Sequence, residues 1–263
     1  MAIGRPQCRR RPAMAVAFVL LLGLLSPALA ADAAPARSAF VTTSGKRFIA
    51  PDGQPLLLKG INLGNWLVPE GYMFDFKKAK SPRAIAAGIE RVLGAAAAEV
   101  FWQQFRDRFV TRDDIDLIAR LGFNTVRVPF HFALFVADGE AAASSSIGYA
   151  MLDRVVAWSK AAGLRVVFDM HAAPGGQTGI NHDDGPGYPL LFYVPAHQDH
   201  TVRIWRSIAE RYRDEPAVLG YDLLNEPIAP YHDTGWLNPK LEPFYREVTA
   251  AIRSVDPYRI IFL

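Results

Sequence analysis

Five apolar runs alternate with segments of helical periodicity, and this alternation constrains the fold more than any other feature of the sequence. Each run is continuously hydrophobic, as expected for a strand that is covered on both faces. Strands of this kind separated by helices predict parallel β–α–β units with right-handed crossovers. The predicted strands span residues 56–62, 125–129, 165–170, 218–224 and 259–263.

The segments between these runs carry start and stop signals that are typical of helices. Ser81 opens one helix, and an Ala-rich helix follows over about residues 94–109. Thr111 with Asp114 three residues later predicts a capping box, and the helix that it opens ends at Gly122. Apolar faces predict three further helices, which end near residues 163, 212 and 255.

Polar residues at the ends of three successive strands decide between the two folds that such units build. A doubly wound sheet would carry a glycine-rich phosphate-binding turn after its first strand, and residues 63–66 do not form one. Arg127, His171 and the pair Asn225-Glu226 lie at or just beyond the carboxyl ends of their strands, where (β/α)8 barrels hold their active sites. We therefore predict an α/β chain that forms a TIM barrel, incomplete here, with about five of the eight βα units.

The first thirty residues have the pattern of a secretory signal peptide. Four arginines precede an apolar run over residues 14–25, and Ala28-Leu29-Ala30 is a small-residue cleavage site. An uncleaved anchor is the alternative, but the run is short for a membrane span and no stop-transfer flank follows it. Residues 31–38 are predicted to be an Ala/Pro linker, and residues 39–263 the N-terminal part of the barrel domain.

Removing the leader changes both the charge and the cysteine content of the chain. The formal net charge is +3, and subtracting the four leader arginines leaves −1 for residues 31–263. The basic balance of the full sequence therefore comes from the leader and does not indicate nucleic-acid binding. Cys8, the one cysteine, lies in the leader. We expect a secreted monomer, extracellular or periplasmic, that is held by its core without disulfides and has no stable membrane insertion.

Glu226 is the strongest candidate for acid-base chemistry. It follows a buried-strand pattern and precedes Pro227, which cannot extend a strand and stiffens the turn. A carboxyl group at the half-buried mouth of a barrel loses solvation, which favours the neutral form that a general acid needs. A turn or helix-capping glutamate is the alternative. The positions of Arg127 and His171 at neighbouring strand ends favour the catalytic interpretation.

Four motifs occur in register along the chain: "INLGNWLVPE" at 61–70, "LGFNTVRVPF" at 121–130, "DMHAAPGGQTG" at 169–179 and "VLGYDLLNEP" at 218–227. The last three resemble the second-, third- and fourth-strand signatures of glycoside hydrolase family 5, the cellulase-like retaining β-glycosidases. The first motif and the extended loop "HAAPGGQTG" resemble the exo-β-1,3-glucanase branch. The resemblance covers nearly everything from residue 59 to residue 263, as the N-terminal portion of such an enzyme.

The resemblance implies a glycosidase that hydrolyses O-glycosyl bonds of a β-glucan or a related oligosaccharide. Glu226 would be its general acid/base, and Asn225 would hydrogen-bond the 2-hydroxyl of the reacting sugar. Arg127 would keep the nucleophile carboxylate ionised, although a salt bridge inside the barrel overlaps with that role. His171 would line the same subsite and contact the sugar or a catalytic carboxylate.

Other polar and aromatic residues near the predicted mouth have two interpretations each. Glu70 matches a carboxylate that reaches the terminal sugar in the exo-acting branch, or it forms a salt bridge at the rim. Trp66 stacks on the substrate or packs in the core. His182, Asp183 and Asp184 lack any standard metal-ligand spacing, so we predict a polar loop over the mouth, with no metal and no other cofactor.

Retaining hydrolysis needs a second carboxylate, the nucleophile, about 5–5.5 Å from the acid. In the family it follows the seventh strand, so we expect it beyond Leu263 and expect this sequence to be a truncated portion of the enzyme. Asp169 is the best internal substitute because it faces the same way as His171, and Asp222 fits a buried polar network. A noncatalytic carbohydrate-binding remnant and a parent enzyme specific for β-mannan remain alternatives. Linkage specificity and exo or endo action stay open.

Overall fold

The computed structural model describes Met1, Ala2 and residues 37–135 and 146–263. Apart from its first two residues, the predicted signal peptide, 1–30, lies outside the described residues, and so does the predicted linker as far as residue 36. Arg37 and Ser38, which the linker prediction includes, begin a short 3-10 helix, Arg37–Ala39. The Arg37 guanidinium lies 4.3 Å from the centre of the Tyr258 ring. Arg37, a residue of the predicted linker, thus contacts a residue of the predicted barrel domain.

A small antiparallel sheet precedes the barrel strands. It consists of β1, Thr42–Ser44, β2, Arg47–Ile49, and β3, Pro55–Leu56, in that order. The turn between β2 and β3 places Gly53 at φ 82°. Glycine adopts this left-handed backbone without the steric cost that a Cβ atom imposes, and the turn therefore closes tightly.

The larger sheet is parallel throughout and contains the strands that position the site. Its order is β4, Gly60–Asn62, β5, Thr125–His131, β6, Arg165–Ala172, β7, Val218–Asp222, and β8, Ile260–Phe262. Each strand pairs with the next one in sequence. A doubly wound sheet reverses its order at a switch point, whereas a barrel does not. The prediction of an incomplete (β/α)8 barrel is confirmed.

The described part of the chain contains six α-helices, all in connections between parallel strands. The β4–β5 connection holds three of them, α1, Pro82–Leu93, α2, Ala95–Arg108, and α3, Arg112–Arg120. The later connections hold α4, Ile147–Ala161, α5, Pro195–Tyr212, and α6, Thr234–Arg253. Among the described residues, no helix combines the length and the apolar character needed to cross a membrane.

Helix α3 begins at the capping box that the sequence predicts. The Asp114 carboxylate accepts hydrogen bonds from the Thr111 amide at 2.8 Å and from the Thr111 hydroxyl at 2.7 Å. At the start of α1, the Ser81 hydroxyl accepts one from the Ala84 amide at 3.2 Å. These side chains satisfy backbone groups that the first helical turn leaves unpaired.

The first predicted strand, 56–62, is wrong as a single element. Its first residue ends β3 in the antiparallel sheet, and its last three residues form β4 in the parallel sheet. Between them the Asn124 side chain accepts a hydrogen bond from the Lys59 amide and donates one to the Leu57 carbonyl, each at 2.8 Å. Asn124 thus satisfies backbone groups where the chain changes sheets, which lets one apolar run supply two strands.

The main core lies between the parallel sheet and its helices. The strands contribute Val126, Val128 and Phe168, and the helices contribute Leu152, Trp205 and Val248, all fully buried. A smaller cluster of Val41, Val167 and Leu219 joins the antiparallel sheet to the opposite face of β6 and β7. Because side chains alternate along a strand, Asp169 and His171 share that second face with Val167. The parallel sheet therefore carries its apolar core on one face and the polar residues of the site toward one end of the other.

Candidate active site

A cavity of about 370 Å³ opens at the carboxyl ends of β4 to β7. Asn62 pairs with Arg127 across β4 and β5, and Asp169 pairs with Asp222 across β6 and β7, so residues just beyond each strand meet in one space. Five of the six residues that the sequence analysis selects line this cavity, namely Glu70, Arg127, His171, Asn225 and Glu226.

Arg127 is the central cation of the site. Its Nη1 lies 3.0 Å from Oδ2 of Asp169, and its Nη2 lies 2.7 Å from Oδ2 of Asp222. Nη2 also donates a hydrogen bond to Oδ1 of Asn225 at 3.2 Å. The two aspartates are neighbours in register, so their charges would repel each other without the cation between them. The expected salt bridge inside the barrel is therefore present, and it also orients Asn225.

Asp169 is fully buried and does not line the cavity. Its Oδ2 lies 2.6 Å from Nδ1 of His171, while its Oδ1 has no hydrogen-bond partner in the described part of the chain. Burial raises the pKa of Asp169, and the contacts with His171 and Arg127 oppose that shift. A carboxylate held in this way orients its two neighbours. Its position does not suit a nucleophile, which has to reach the sugar.

Glu70 lies on the wall of the cavity next to His171. It is 8% exposed, and its Oε1 is 3.8 Å from Nε2 of His171. Its backbone amide donates to Oδ1 of Asn65 at 2.8 Å, which fixes the turn before it. Within the described residues, no lysine or arginine pairs with Glu70, and His171 is the one basic side chain within 4.0 Å of its carboxylate. This arrangement favours a carboxylate that faces the cavity over one in a rim salt bridge with a lysine or an arginine.

Tyr72 is a cavity residue that sequence reasoning missed. It lies in the short 3-10 helix Gly71–Phe74, two residues after Glu70. Partial burial, followed by the charges of Glu70 and Glu226, raises the pKa of Tyr72, and its phenol adds a hydrogen-bonding group to the cavity. No sequence periodicity marks this residue, because the short 3-10 helix that carries it is separate from every strand and long helix.

Glu226 stands on a turn with an unusual backbone. Its φ is 42°, and that of Ile228 is 60°. Left-handed conformations are rare for residues other than glycine and are outliers for β-branched ones. The turn follows β7, and the Asn225 amide anchors it by donating to the Met170 carbonyl at 3.2 Å. The sequence predicts a half-buried carboxyl at Glu226, and this expectation is wrong. The residue is exposed because the turn places it away from the core.

Trp66 does not line the cavity, and its interpretation as a substrate-binding residue is wrong for the described structure. The side chain is buried in the main core with 1% exposure, and its indole N–H donates to the Arg106 carbonyl at 2.9 Å. Stacking on a sugar needs an exposed ring face. The core alternative therefore accounts for Trp66.

The polar loop after β6 is organised around Asp183. This buried carboxylate accepts hydrogen bonds from the amide and hydroxyl of Thr178, at 2.7 and 2.8 Å, and from the Gly185 amide at 2.8 Å. Asp184 is paired with His131 at 3.0 Å, and His182 lines the cavity. Over 37–135 and 146–263, no group of three or more His, Cys, Asp or Glu residues could hold a metal ion. The carboxylates of this loop are used to shape it.

The sequence of this chain is similar to those of known glycosyl hydrolases. Residues 87–263 match the family model described as Cellulase (glycosyl hydrolase family 5). A beta-xylosidase of Phanerodontia chrysosporium is 32% identical over 226 residues, which cover 86% of this chain and 46% of the relative. A probable glucan 1,3-beta-glucosidase A of Aspergillus clavatus is 30% identical over 236 residues, which cover 88% of this chain and 54% of the relative. The chain thus spans about half the length of these relatives.

Solved structures share the fold over most of the chain. The rutinosidase from Aspergillus niger matches with a TM-score of 0.66 and 19% sequence identity, over 77% of this chain and 61% of that chain. At this identity the likeness concerns the fold alone. It agrees with the strand order of an incomplete barrel.

Proposed function

Because this chain belongs to the cellulase family, glycosyl hydrolase family 5, we propose that it forms part of a secreted retaining β-glycosidase that acts on β-glucans or related β-glucosides. The observation that carries the proposal is the meeting of Glu226, Asn225, His171, Arg127 and Glu70 in one cavity at the carboxyl ends of the strands. The glucan and glycoside activities named for the relatives support the substrate class.

In the proposed reaction Glu226 acts twice. It first donates its proton to the glycosidic oxygen while a second carboxylate attacks the anomeric carbon, which releases the leaving group and forms a glycosyl ester. It then takes a proton from a water molecule that attacks the same carbon and displaces the nucleophile, and the two successive inversions give net retention of the anomeric configuration. Asn225, oriented by Arg127, is placed to contact the 2-hydroxyl of the sugar.

The nucleophile of this reaction is proposed to lie in the half of the relatives' length that this chain does not match. Two of the aspartates considered above are poor substitutes, since Asp169 is buried away from the cavity and Asp222 is ion-paired to Arg127. Glu70 faces the cavity at its β4 side, where it is proposed to contact a terminal sugar hydroxyl. Export follows from the leader pattern and is proposed on that basis.

The proposal is tested on the complete gene product that contains these residues. Glu226→Ala should lower kcat/KM for phenyl β-glucoside by roughly 10²- to 10⁴-fold, because that leaving group needs a proton. With 2,4-dinitrophenyl β-glucoside, the same variant should form the glycosyl ester at a normal rate, and added azide should then yield a β-glycosyl azide. An equal loss on both substrates, or a first product of inverted configuration, would contradict the proposal.

A second candidate function is carbohydrate binding without catalysis. It is favoured by one observation. In the described part of the chain, Glu70 is the one carboxylate besides Glu226 that lines the cavity, and Glu70 is proposed to bind the sugar, which leaves no carboxylate there for the nucleophile. Binding of laminari-oligosaccharides without release of reducing sugar would support this candidate. Faster hydrolysis of a mannan than of a glucan in the same assay would instead indicate a β-mannanase.

A further inference from the structure

Gln177 is a fully buried polar residue that the proposed reaction does not use directly. It lies in the loop after β6 and has no exposed surface. A buried side-chain amide lowers stability unless both its oxygen and its nitrogen find hydrogen-bond partners. The contacts of Gln177 therefore indicate why a glutamine occupies this position.

All three side-chain hydrogen bonds of Gln177 go to the backbone at the two strand ends of the site. Its Nε2 donates to the carbonyl of His171 at 2.8 Å and to the carbonyl of Asn225 at 2.9 Å. Its Oε1 accepts from the amide of Ala173 at 2.9 Å. The amide thus links the end of β6, which carries His171, to the turn after β7, which carries Glu226.

Gln177 holds the Glu226 turn on both sides. Its side chain bonds the residue before Glu226, and its own backbone carbonyl accepts from the Ile228 amide at 2.9 Å. Between these two contacts the backbone takes the left-handed conformations of Glu226 and Ile228. Such conformations are costly and persist where surrounding contacts over-determine them. The two hydrogen bonds of Gln177 contribute to that determination, together with the bond from the Asn225 amide to the Met170 carbonyl.

We propose that Gln177 is a positioning residue, which fixes the turn bearing Glu226 relative to the strand end bearing His171. The inference rests on the proposed role of Glu226. This role needs a glutamine, because the same planar side-chain group has to accept one hydrogen bond and donate two. A glutamate of the same shape keeps the acceptor but donates nothing to the two carbonyls, and a methionine fills the volume with neither.

Amide hydrogen exchange on this chain tests the structural half of the inference without requiring activity. In Gln177→Met, exchange of amides in residues 225–229 should accelerate roughly tenfold or more, while amides of β5 and α4 change little. Gln177→Glu provides a second variant should the first fail to fold, with the same expected pattern. The matched control is Thr178→Val, because Thr178 is equally buried in the same loop but its side chain bonds Asp183.

The catalytic half of the inference is tested on the complete gene product by the ratio of its activities on two substrates. Gln177→Met should lower kcat on phenyl β-glucoside by roughly tenfold to a hundredfold with little change in KM, and should spare the first step with the dinitrophenyl glucoside. Thr178→Val should leave this ratio unchanged. If the unmodified enzyme hydrolyses neither substrate, the proposed function fails, and the exchange data still decide whether Gln177 holds the turn. Unchanged exchange at 225–229, uniform acceleration across the sheet, or equal loss on both substrates would overturn the inference.

Discussion

Removing the charge of Arg127 should destabilise the chain by an amount that depends strongly on pH. In Arg127→Met the carboxylate of Asp169 stays buried without the cation that lies 3.0 Å away. Removing one partner of a buried ion pair typically costs about 3–5 kcal/mol. The cost is limited because Asp169 can bind a proton instead of remaining charged.

The size of this limit follows from the acidity of an aspartate in the unfolded chain. With an ordinary pKa of about 3.9 and about 1.36 kcal/mol per unit, neutralising Asp169 costs about 4 kcal/mol at about pH 7 and about 1 kcal/mol at about pH 4.5. The loss of charge pairing in the variant raises the folded-state pKa of Asp169 further. A raised folded-state pKa makes the penalty grow as the pH rises from the unfolded value, so the variant should recover stability on acidification.

Urea unfolding of both proteins at the two pH values measures this difference. The stability gap between Arg127→Met and the unmodified chain should shrink by about 3 kcal/mol at most between about pH 7 and about pH 4.5. Adding Asp169→Asn to the variant should remove most of the pH dependence. Arg246→Met is the matched control, since its partner Glu242 is 73% exposed and the pair is worth less than about 1 kcal/mol. A gap that is the same at both pH values would refute the reasoning.

Two further predictions concern other parts of the fold. Burial tends to raise the pKa of Asp184, but hydrogen bonds from His131 and from the Arg83 amide outweigh it and hold that pKa below its ordinary value. The stabilisation that the ionised Asp184 provides is therefore present above the ordinary aspartate pKa and is lost as the pH falls below it. Asp184→Asn should lower the free energy of unfolding by about 1–3 kcal/mol at neutral pH. In a pH titration of unfolding, the variant should also lose less stability toward acid pH than the unmodified chain. At Gly220 an added Cβ would lie 2.6 Å from the Ile260 carbonyl oxygen, so Gly220→Ala should lower the free energy of unfolding by about 1–3 kcal/mol and shift the urea midpoint down. An unchanged midpoint would contradict the packing of β7 on β8.

Much of the fold was predictable because its signals are local. Continuous apolar runs mark strands covered on both faces, and a Thr111–Asp114 capping box marks a helix start whatever lies around it. The five parallel strands occur where these signals place them, within a few residues. The split of the first run into β3 and β4 was not predictable, since the hydrogen bonds that divide it come from Asn124, more than sixty residues later.

The membership of the candidate site was partly predictable for the same reason. Residues just past parallel strands meet at one edge, so Arg127, His171 and Glu226 could be grouped from their positions alone. Trp66 and Tyr72 could not be sorted in this way. Both lie in an irregular connection, where neither period 2 nor period 3.6 tells which side chains turn inward.

The sequence by itself determined the order of the strands and which polar residues stand at their ends, because both depend on patterns within single segments. The tertiary structure decided which charges pair and which turns are held. Arg127 lies between Asp169 and Asp222. Gln177 bonds the backbone of both His171 and Asn225, and Asn225 lies 48 residues after Gln177 in the sequence. Such contacts depend on the register between strands and on the path of loops, and these are settled when the sheet packs against its helices.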